Sequence, residues 1–323
     1  MPGQPVSRRA MAAKARSASL SAWQTATNIW PERGGRVLKT NRDRLVMISV
    51  LGEISSPGGA QPPHRVGYDG VARVLPGTGG ITYNVRVGDP AFGWAGDHVE
   101  PGVSTRSKDE NPNHGYNTLC CVGNDAYVVS GDAKGARGVV TGKHGGIEHV
   151  LIDFPPDVLE KLVIGDKIQV RAWGQGLEIE GYPDVKCMNL DPRLLDRMGI
   201  QEKDGILEVP VAGIVPPEFM GSGLGSAAAE RGDYDITSME KEGLRELGLD
   251  RLRLGDIVAI RDASSYYGRS YRRGAVIIGV VVHTDSYVAG HGPGVTTLMT
   301  SLTGRIRPVQ VEQANIAQYL GLR

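Results

Sequence analysis

Two histidines and an aspartate lie close together in the segment VVHTDSYVAGHGPGVTTLMTS, residues 281–301. His283 and Asp285 are two positions apart at the end of an apolar run, so in a β-strand both side chains would project from one face. His291 follows in the glycine-rich segment GHGPG. Imidazole and carboxylate groups bind divalent metal ions and act as general acids and bases. The segment therefore predicts a catalytic and metal-binding site formed by His283, Asp285 and His291.

The glycines around His291 predict a substrate contact. Gly290, Gly292 and Gly294 would let backbone N–H groups point into one space, where they could bind an anion or a developing oxyanion. The alternative is an ordinary glycine turn in which the histidine bonds a neighbouring carbonyl group. The spacing of these residues does not decide between the two.

Two further loops contain residues that could complete the site. In VGDPAFGWAGDHVEPG (87–102), His98 and Glu100 are again two positions apart, and we expect them to supply metal ligands while Trp94 lines the pocket. A solvated turn would explain the same composition. In EFMGSGLGS (218–226), Ser222 would offer a hydroxyl group to substrate from a mobile loop. No convincing strand precedes this loop, so it is not a dinucleotide fingerprint. We expect a divalent metal and no nucleotide cofactor.

The composition favours a mainly β, β-rich α+β protein. Forty-five glycines and three phenylalanines in 323 residues indicate many tight turns and short strands. LEKLVIGDKIQVR (159–171) is echoed by LDRLRLGDIVAIR (249–261), which predicts two related barrel-like or sandwich-like β modules. Chance recurrence of a common turn pattern is the alternative.

The chain divides into three predicted parts. Residues 1–36 contain six basic residues and one acidic residue and are expected to form a flexible extension. An N-terminal β domain is expected over 37–192 and a C-terminal β domain over 193–323. Short peripheral helices are predicted in 155–162, in 191–199 with Asp191 as the N-cap, and in 237–248 behind a hydroxyl cap.

The charge balance limits the expected partners. Thirty-six basic and 36 acidic residues cancel, so the protein has no overall field that would attract nucleic acid or an anionic membrane. No apolar run approaches the roughly 18 residues of a membrane span. We expect a cytoplasmic homo-oligomer that binds a small molecule, with no membrane partner.

The segment VVSGDAKGARGVVTGKHGGIEHVLIDF (128–154) resembles the KOW module of ribosomal and transcription-elongation proteins. The shared features are its glycine turns and returning strand. The resemblance implies a small barrel in which Lys134, Arg137, Lys143 and His144 contact phosphates.

A longer resemblance covers residues 38–320. The segments LVMISVLGEI, VLPGTGGITYNVRVGDPAFGWAGDHVEPG, VSGDAKGARGVVTGKHGGIEHVLIDF, GSGLGS and AGHGPGVTTLMTS resemble domain-of-unknown-function family 4438. IGDKIQV and LGDIVAI also resemble the Gly-Asp turns of the acetamidase and formamidase family, which implies a β-rich architecture and transfers no catalytic residue.

These observations together predict a metal-assisted hydrolase that acts on a small polar metabolite, for example an amide. In this interpretation His283, Asp285 and His291 bind the metal or act as acid and base, and the GHGPG amides receive the oxyanion. The alternatives are a nucleic-acid-binding protein built on the KOW-like segment and a non-catalytic, ligand-binding β protein.

Overall fold

The computed structural model describes residues 37–58 and 64–323. These described residues belong to one compact unit. The proposed basic extension at residues 1–36 lies outside the described residues. Over the described residues the protein is mainly β with short helices, which confirms the predicted class.

The N-terminal part contains a closed six-stranded barrel. Its strands follow the order β1–β9–β6–β7–β8–β5, all pairs are antiparallel, and β1 also pairs with β5 to close the barrel, which β4 extends. The strands of this part are β1 (Ile48–Ile54), β2 (Arg65–Val66), β3 (Ala72–Arg73), β4 (Ile81–Thr82), β5 (Gly102–Arg106), β6 (Asp125–Val128), β7 (Arg137–His144), β8 (His149–Asp153) and β9 (Lys167–Ala172).

Helix α1 (Glu110–Leu119) packs against the barrel through the side chain of Tyr116. A Cβ atom at Gly52 in β1 would lie 2.6 Å from Tyr116 Cζ of this helix, so only glycine fits there. Tyr116 joins the buried apolar cluster of the barrel, which includes Val103, Val140 and Ile152.

A five-stranded sheet forms the core of the C-terminal part. Its order is β10–β16–β15–β14–β13, in which β13 and β14 are parallel and the other pairs are antiparallel; a smaller sheet has the order β11–β12–β17. The strands are β10 (Val185–Cys187), β11 (Gln201–Lys203), β12 (Ile206–Val211), β13 (Gly213–Val215), β14 (Ile257–Ser264), β15 (Ser270–Val281), β16 (Val295–Ser301) and β17 (Ile306–Gln310).

The remaining helices are short. They are α2 (Pro156–Leu159), α3 (Pro192–Arg197), α4 (Lys241–Glu246) and α5 (Ile316–Tyr319). Asp191 caps α3 as predicted, because its carboxylate accepts from Arg193 N at 2.7 Å. The predicted hydroxyl cap before α4 is wrong, since Glu240 fills that position and accepts from Gly243 N. No helix within 37–58 and 64–323 is long and apolar enough to cross a membrane.

The two Gly-Asp segments form the same local turn in different surroundings. Asp166 accepts from Val163 N and Asp256 accepts from Arg253 N, each behind a glycine with positive φ. However, β9 lies between the antiparallel strands β1 and β6, whereas β14 lies between β15 and the parallel strand β13. The two strands therefore have different neighbours, and the feature that the two echoed segments share is the turn.

The barrel contacts the C-terminal sheet where β7 meets β16. Thr296 Oγ1 accepts from Lys143 N at 3.1 Å and donates to Lys143 O at 2.9 Å. A Cβ atom at Gly142 would lie 2.2 Å from Val282 Cγ1, so the glycine permits this close contact. The next residues on each side, His144 and His283, are thereby brought face to face.

Candidate metal site

Four histidines and two aspartates meet at this junction in two adjacent groups. In each group the possible ligand atoms all lie within 4.8 Å of one another. Ligands bound to one zinc ion at 2.0–2.1 Å in a tetrahedron are separated by about 3.3 Å, so both groups have suitable dimensions. The first group is His144, Asp233 and His283, and the second is His98, Asp235 and His291.

The first group contains two buried atoms that face each other at ion-pair distance. His283 Nε2 and Asp233 Oδ2 are 2.7 Å apart, which is the distance of an ion pair when Nε2 carries a proton, and neither atom has another hydrogen-bond partner. His283 Nδ1 lies 2.9 Å from Thr284 O, an arrangement that places a proton on Nδ1, so Nε2 carries a lone pair when the ring is neutral. Two lone pairs at this distance would repel each other, so either a proton on Nε2 or a bound metal ion must neutralise the pair. The His144 ring is close by, with its centroid 4.2 Å from that of His283.

The second group has the same composition. His98 Nε2 lies 3.0 Å from His291 Nδ1, and His291 Nδ1 lies 3.0 Å from Asp235 Oδ2. His98 has a left-handed backbone with φ of 56°, which is uncommon outside glycine and is found at functional sites. The two imidazole nitrogens and the carboxylate oxygen can therefore converge on one ion.

Asp235 connects the two groups. Its Oδ2 belongs to the second group, while its Oδ1 lies 3.7 Å from His283 Nε2 in the first. Burial raises the pKa of Asp235, but contacts with His283, His291 and His98 outweigh burial and hold the pKa well below its ordinary value. An ionised carboxylate in this position can bridge two metal ions.

The electrostatics of the site favour positive charge. Burial lowers the pKa of His283, but the charges of Asp233 and Asp235 outweigh this effect and raise the pKa well above its ordinary value. The same balance raises the pKa of His98, whose burial is outweighed by Asp235 and Asp97. Without a metal, protons supply the positive charge that the buried aspartates require; a bound cation would replace those protons.

Glu100 lies behind the first group and orients His144. Its Oε1 is 2.6 Å from His144 Nδ1, and its Oε2 is 2.9 Å from His149 Nδ1. Gly79 N and Ser104 Oγ also donate to the carboxylate. This partner fixes the His144 ring with Nε2 free to bind, as outer carboxylates do for metal-bound histidines. Glu100, predicted as a ligand, belongs to neither group and instead contacts His144 and His149.

Gly294 leaves space for the first group. A Cβ atom at this position would lie 1.9 Å from Asp233 Oδ2 and 2.3 Å from His283 Nε2. The backbone of Gly294 also bridges to Asp235. The glycine thus lets the chain pass directly over the ligand atoms, a role different from the predicted anion nest.

A cleft of about 580 Å³ opens onto both groups. Besides ligand residues, it is lined by three arginines, Glu148, and the glycine-rich loop that contains Ser222. Ser222, which the sequence predicts to offer a hydroxyl group to substrate, lines this cleft. The arginines are Arg65, Arg231 and Arg269.

The structure brings together His98, His283 and His291 but separates Asp285 from them. Asp285 belongs to neither group, and its side chain lines a different cavity beside Phe92 and Lys241. Burial raises the pKa of Asp285 to about 6. The reason for the separation is that β15 ends at Val281, so strand alternation does not extend to residue 285.

Trp94, Gly290 and Gly292 have packing roles. Trp94 Nε1 donates to Pro90 O, and the ring packs against the C-terminal core. Gly290 N donates to Met239 Sδ at 3.2 Å, and Gly290 O accepts from Ser222 N at 2.7 Å. A Cβ atom at Gly292 would lie 1.8 Å from the Ile236 carbonyl oxygen. These contacts explain the glycines by close packing of two loops.

Sequence reasoning did not identify His144, Asp233 or Asp235 as ligands. His144 and His149 flank the turn of the β7–β8 hairpin in the pattern HGGIEH, in which the sequence predicts a phosphate contact for His144 and no role for His149. Asp233 and Asp235 alternate in DYD, a pattern that places both carboxylates on one face of an extended chain. The paired histidines of the hairpin and the DYD alternation are therefore the sequence signals that could have identified these residues.

The KOW-like interpretation of Lys143 is wrong. Its side chain is fully buried, and Nζ donates to Asn189 Oδ1 at 2.6 Å and to Glu230 O at 2.9 Å. Arg137 pairs with Asp125. Neither Lys143 nor His144 is exposed to receive a nucleic-acid phosphate, whereas Lys134 is exposed.

Family models match most of the described chain. The N-terminal model of the domain of unknown function DUF4438 matches residues 64–196, and its C-terminal model matches residues 197–320. The protein belongs to this family, as its sequence predicted. It is similar to the crystal structure of TM1086, with a TM-score of 0.84 and 53% identity over 87% of this chain and 99% of that one. No curated protein matches.

Proposed function

We propose that this protein is a hydrolase that acts on a small polar metabolite with the help of two divalent metal ions. The observation that carries the proposal is the pair of adjacent groups, each with two histidines and one aspartate, at the base of one cleft. Nitrogen and oxygen ligands of this kind suit zinc and neighbouring first-row metals. Paired ions would lower the pKa of a bound water and polarise the substrate carbonyl.

Glu148 is our candidate for the proton-transfer group. It is the carboxylate among the described cleft residues that belongs to neither metal group, and its Oε2 is buried without a hydrogen-bond partner. Its left-handed backbone, φ 56°, is held by Asn113 and Asn117 of α1, whose amides donate to Glu148 O. A carboxylate fixed at the rim of the cleft can accept a proton from water and return it to the leaving group.

Metal analysis of purified protein tests the first step. We expect close to two equivalents of a first-row divalent metal in the wild type and a loss of at least half of it in His283→Ala. The matched control is His114→Ala, because His114 lies on α1 outside both groups and pairs with Glu110. Wild-type protein that binds no metal after incubation with zinc, manganese or nickel would contradict the proposal.

Turnover tests the second step. Metal-loaded protein is screened against small amides, esters and phosphoesters, and Glu148→Gln is compared with the wild type. We expect hydrolysis that chelation abolishes and metal restores, with kcat lowered about 100-fold or more in Glu148→Gln while metal content is unchanged. Metal-loaded protein without hydrolysis of any class would favour a ligand-binding function.

A further inference from the structure

Arg269 is a buried arginine in the cleft with no carboxylate partner among the ion pairs of the described residues. It is 3% exposed and precedes β15. Its Nη2 donates to the Arg231 carbonyl oxygen at 2.9 Å, and its Nε is buried without a hydrogen-bond partner. Leaving a buried charge without an anionic partner is costly. The guanidinium must therefore have a role that offsets this free-energy cost.

Backbone hydrogen bonds and the glycine-rich loop hold Arg269 in place. Arg269 N donates to Ser226 O, and its own carbonyl oxygen accepts from Gly225 N. An ideal Cβ atom at Gly223 would lie 3.5 Å from Arg269 Nη1, so the glycine-rich loop lies directly on the side chain. Both segments line the cleft, and the arginine is positioned before any ligand arrives.

The charges around the cleft point to an anionic ligand. Asp233 and Asp235 are near enough to influence Arg269, but each has histidine contacts of its own and belongs to a metal group. Metal ions bound there would use these carboxylates and add positive charge to the cleft. Arg231 and Arg65 line the same cleft. A planar guanidinium matches the paired oxygen atoms of a carboxylate or phosphate group.

We infer that the cleft binds small metabolites that carry an oxyanion, a carboxylate or a phosphate, and that Arg269 binds this group beside the metal ions. The identification of this anion as part of a substrate rests on the proposed function. Arg231 supports the contact from the more exposed side of the cleft. The scissile bond of the substrate then lies between the anionic group and the metal groups.

Calorimetric titration with inorganic phosphate and with succinate tests the inference. Each anion is titrated into metal-loaded protein and into protein freed of metal by chelation. We expect binding of at least one anion, weakened about tenfold or more in Arg269→Gln and less strongly in Arg231→Gln. The matched control is Arg272→Gln, which removes the same charge from an exposed position on β15 and should leave affinity unchanged.

The outcomes separate the inference from the proposed function. Arg269-dependent binding in metal-free protein supports the oxyanion site even if no metal binds, and the anion that binds more tightly identifies the substrate group. Arg269→Lys, which keeps the charge in a less disruptive replacement, should also weaken binding if Arg269→Gln does not fold. Equal affinities in the wild type and both folded Arg269 variants, or no binding of either anion, would overturn the inference.

Discussion

Gly294 offers a test of the site that leaves every ligand in place. In Gly294→Ala the new methyl group would lie 1.9 Å from Asp233 Oδ2 and 2.3 Å from His283 Nε2, so both ligands must move. We expect metal affinity to fall at least tenfold, because a displacement of this size breaks the coordination geometry. Metal content after dialysis against a competing chelator measures the change.

The control for this substitution is Gly115→Ala in α1. A Cβ atom there meets no other atom within 4 Å. Alanine should retain the full metal content and raise the free energy of unfolding by about 0.5–1 kcal/mol, since glycine is a poor helix former. If Gly294→Ala bound metal as tightly as Gly115→Ala, the assignment of Asp233 and His283 as ligands would be wrong.

Asp285 should make stability depend on pH. Its pKa is about 6 in the folded protein against 3.8 ordinarily, so the folded state binds the proton more tightly. The resulting stabilisation is fully present below pH 3.8 and is lost as the pH rises through 6. Asp285→Asn should therefore raise the free energy of unfolding by roughly 3 kcal/mol at pH 8 and by less at pH 4.5.

Urea unfolding at several pH values measures this gain. Metal content is determined on the same samples, because the sequence assigned Asp285 a ligand role while the structure separates it from both groups. Unchanged metal content together with the pH-dependent gain would support a role outside the site. Loss of metal in Asp285→Asn would instead restore the sequence-based assignment.

At the scale of elements, local signals predict the Gly-Asp turns and the Asp191 cap of α3, but not the Glu240 cap of α4. Asp166 and Asp256 each stabilise their own turn by accepting a hydrogen bond from the backbone N–H three residues earlier. Four consecutive residues therefore determine each turn. The Asp191 cap is local for the same reason. Predictions of this kind succeeded because they needed no knowledge of distant partners.

Helix α1 shows where local signals fail. Its sequence ENPNHGYNTL contains proline, glycine and three asparagines, all poor helix formers. Tertiary contacts stabilise it: Tyr116 packs over Gly52, and Asn113 and Asn117 bind the carbonyl of Glu148. A helix held by residues far away in the sequence cannot be recognised from its own composition.

The site was predictable to the extent that its residues are neighbours in sequence. His283 and His291 lie on one segment, and the sequence predicts His98 as a further metal ligand from a loop of similar composition. The partners of His283 and His291 are instead Asp233 and Asp235, some fifty residues away, because the chain at Asp235 bridges to Gly294. No periodic pattern in a single sequence encodes that pairing.

At the scale of the whole molecule, each metal group joins the two matched regions of the chain. His98 and His144 lie within residues 64–196, whereas the two aspartates, His283 and His291 lie within residues 197–320. Each group takes one histidine from the first region and a histidine and an aspartate from the second. Neither region holds a complete group, so an ion bound to either group would connect the barrel side of the junction to the C-terminal side.

Metal binding should therefore stabilise the molecule as one unit. A ligand present at 100 times its Kd and bound only by the folded state adds about 2.7 kcal/mol of stability. We expect metal-loaded protein to unfold in one transition with a Tm several degrees above that of chelator-treated protein.

In His144→Ala the first group keeps its C-terminal ligands but loses its connection to the barrel, so metal should raise the Tm less. The control variant His114→Ala should respond to metal as the wild type does. Calorimetric scans of the three proteins with and without metal measure these differences, and an equal response in His144→Ala and the wild type would exclude His144 as a ligand that connects the two regions.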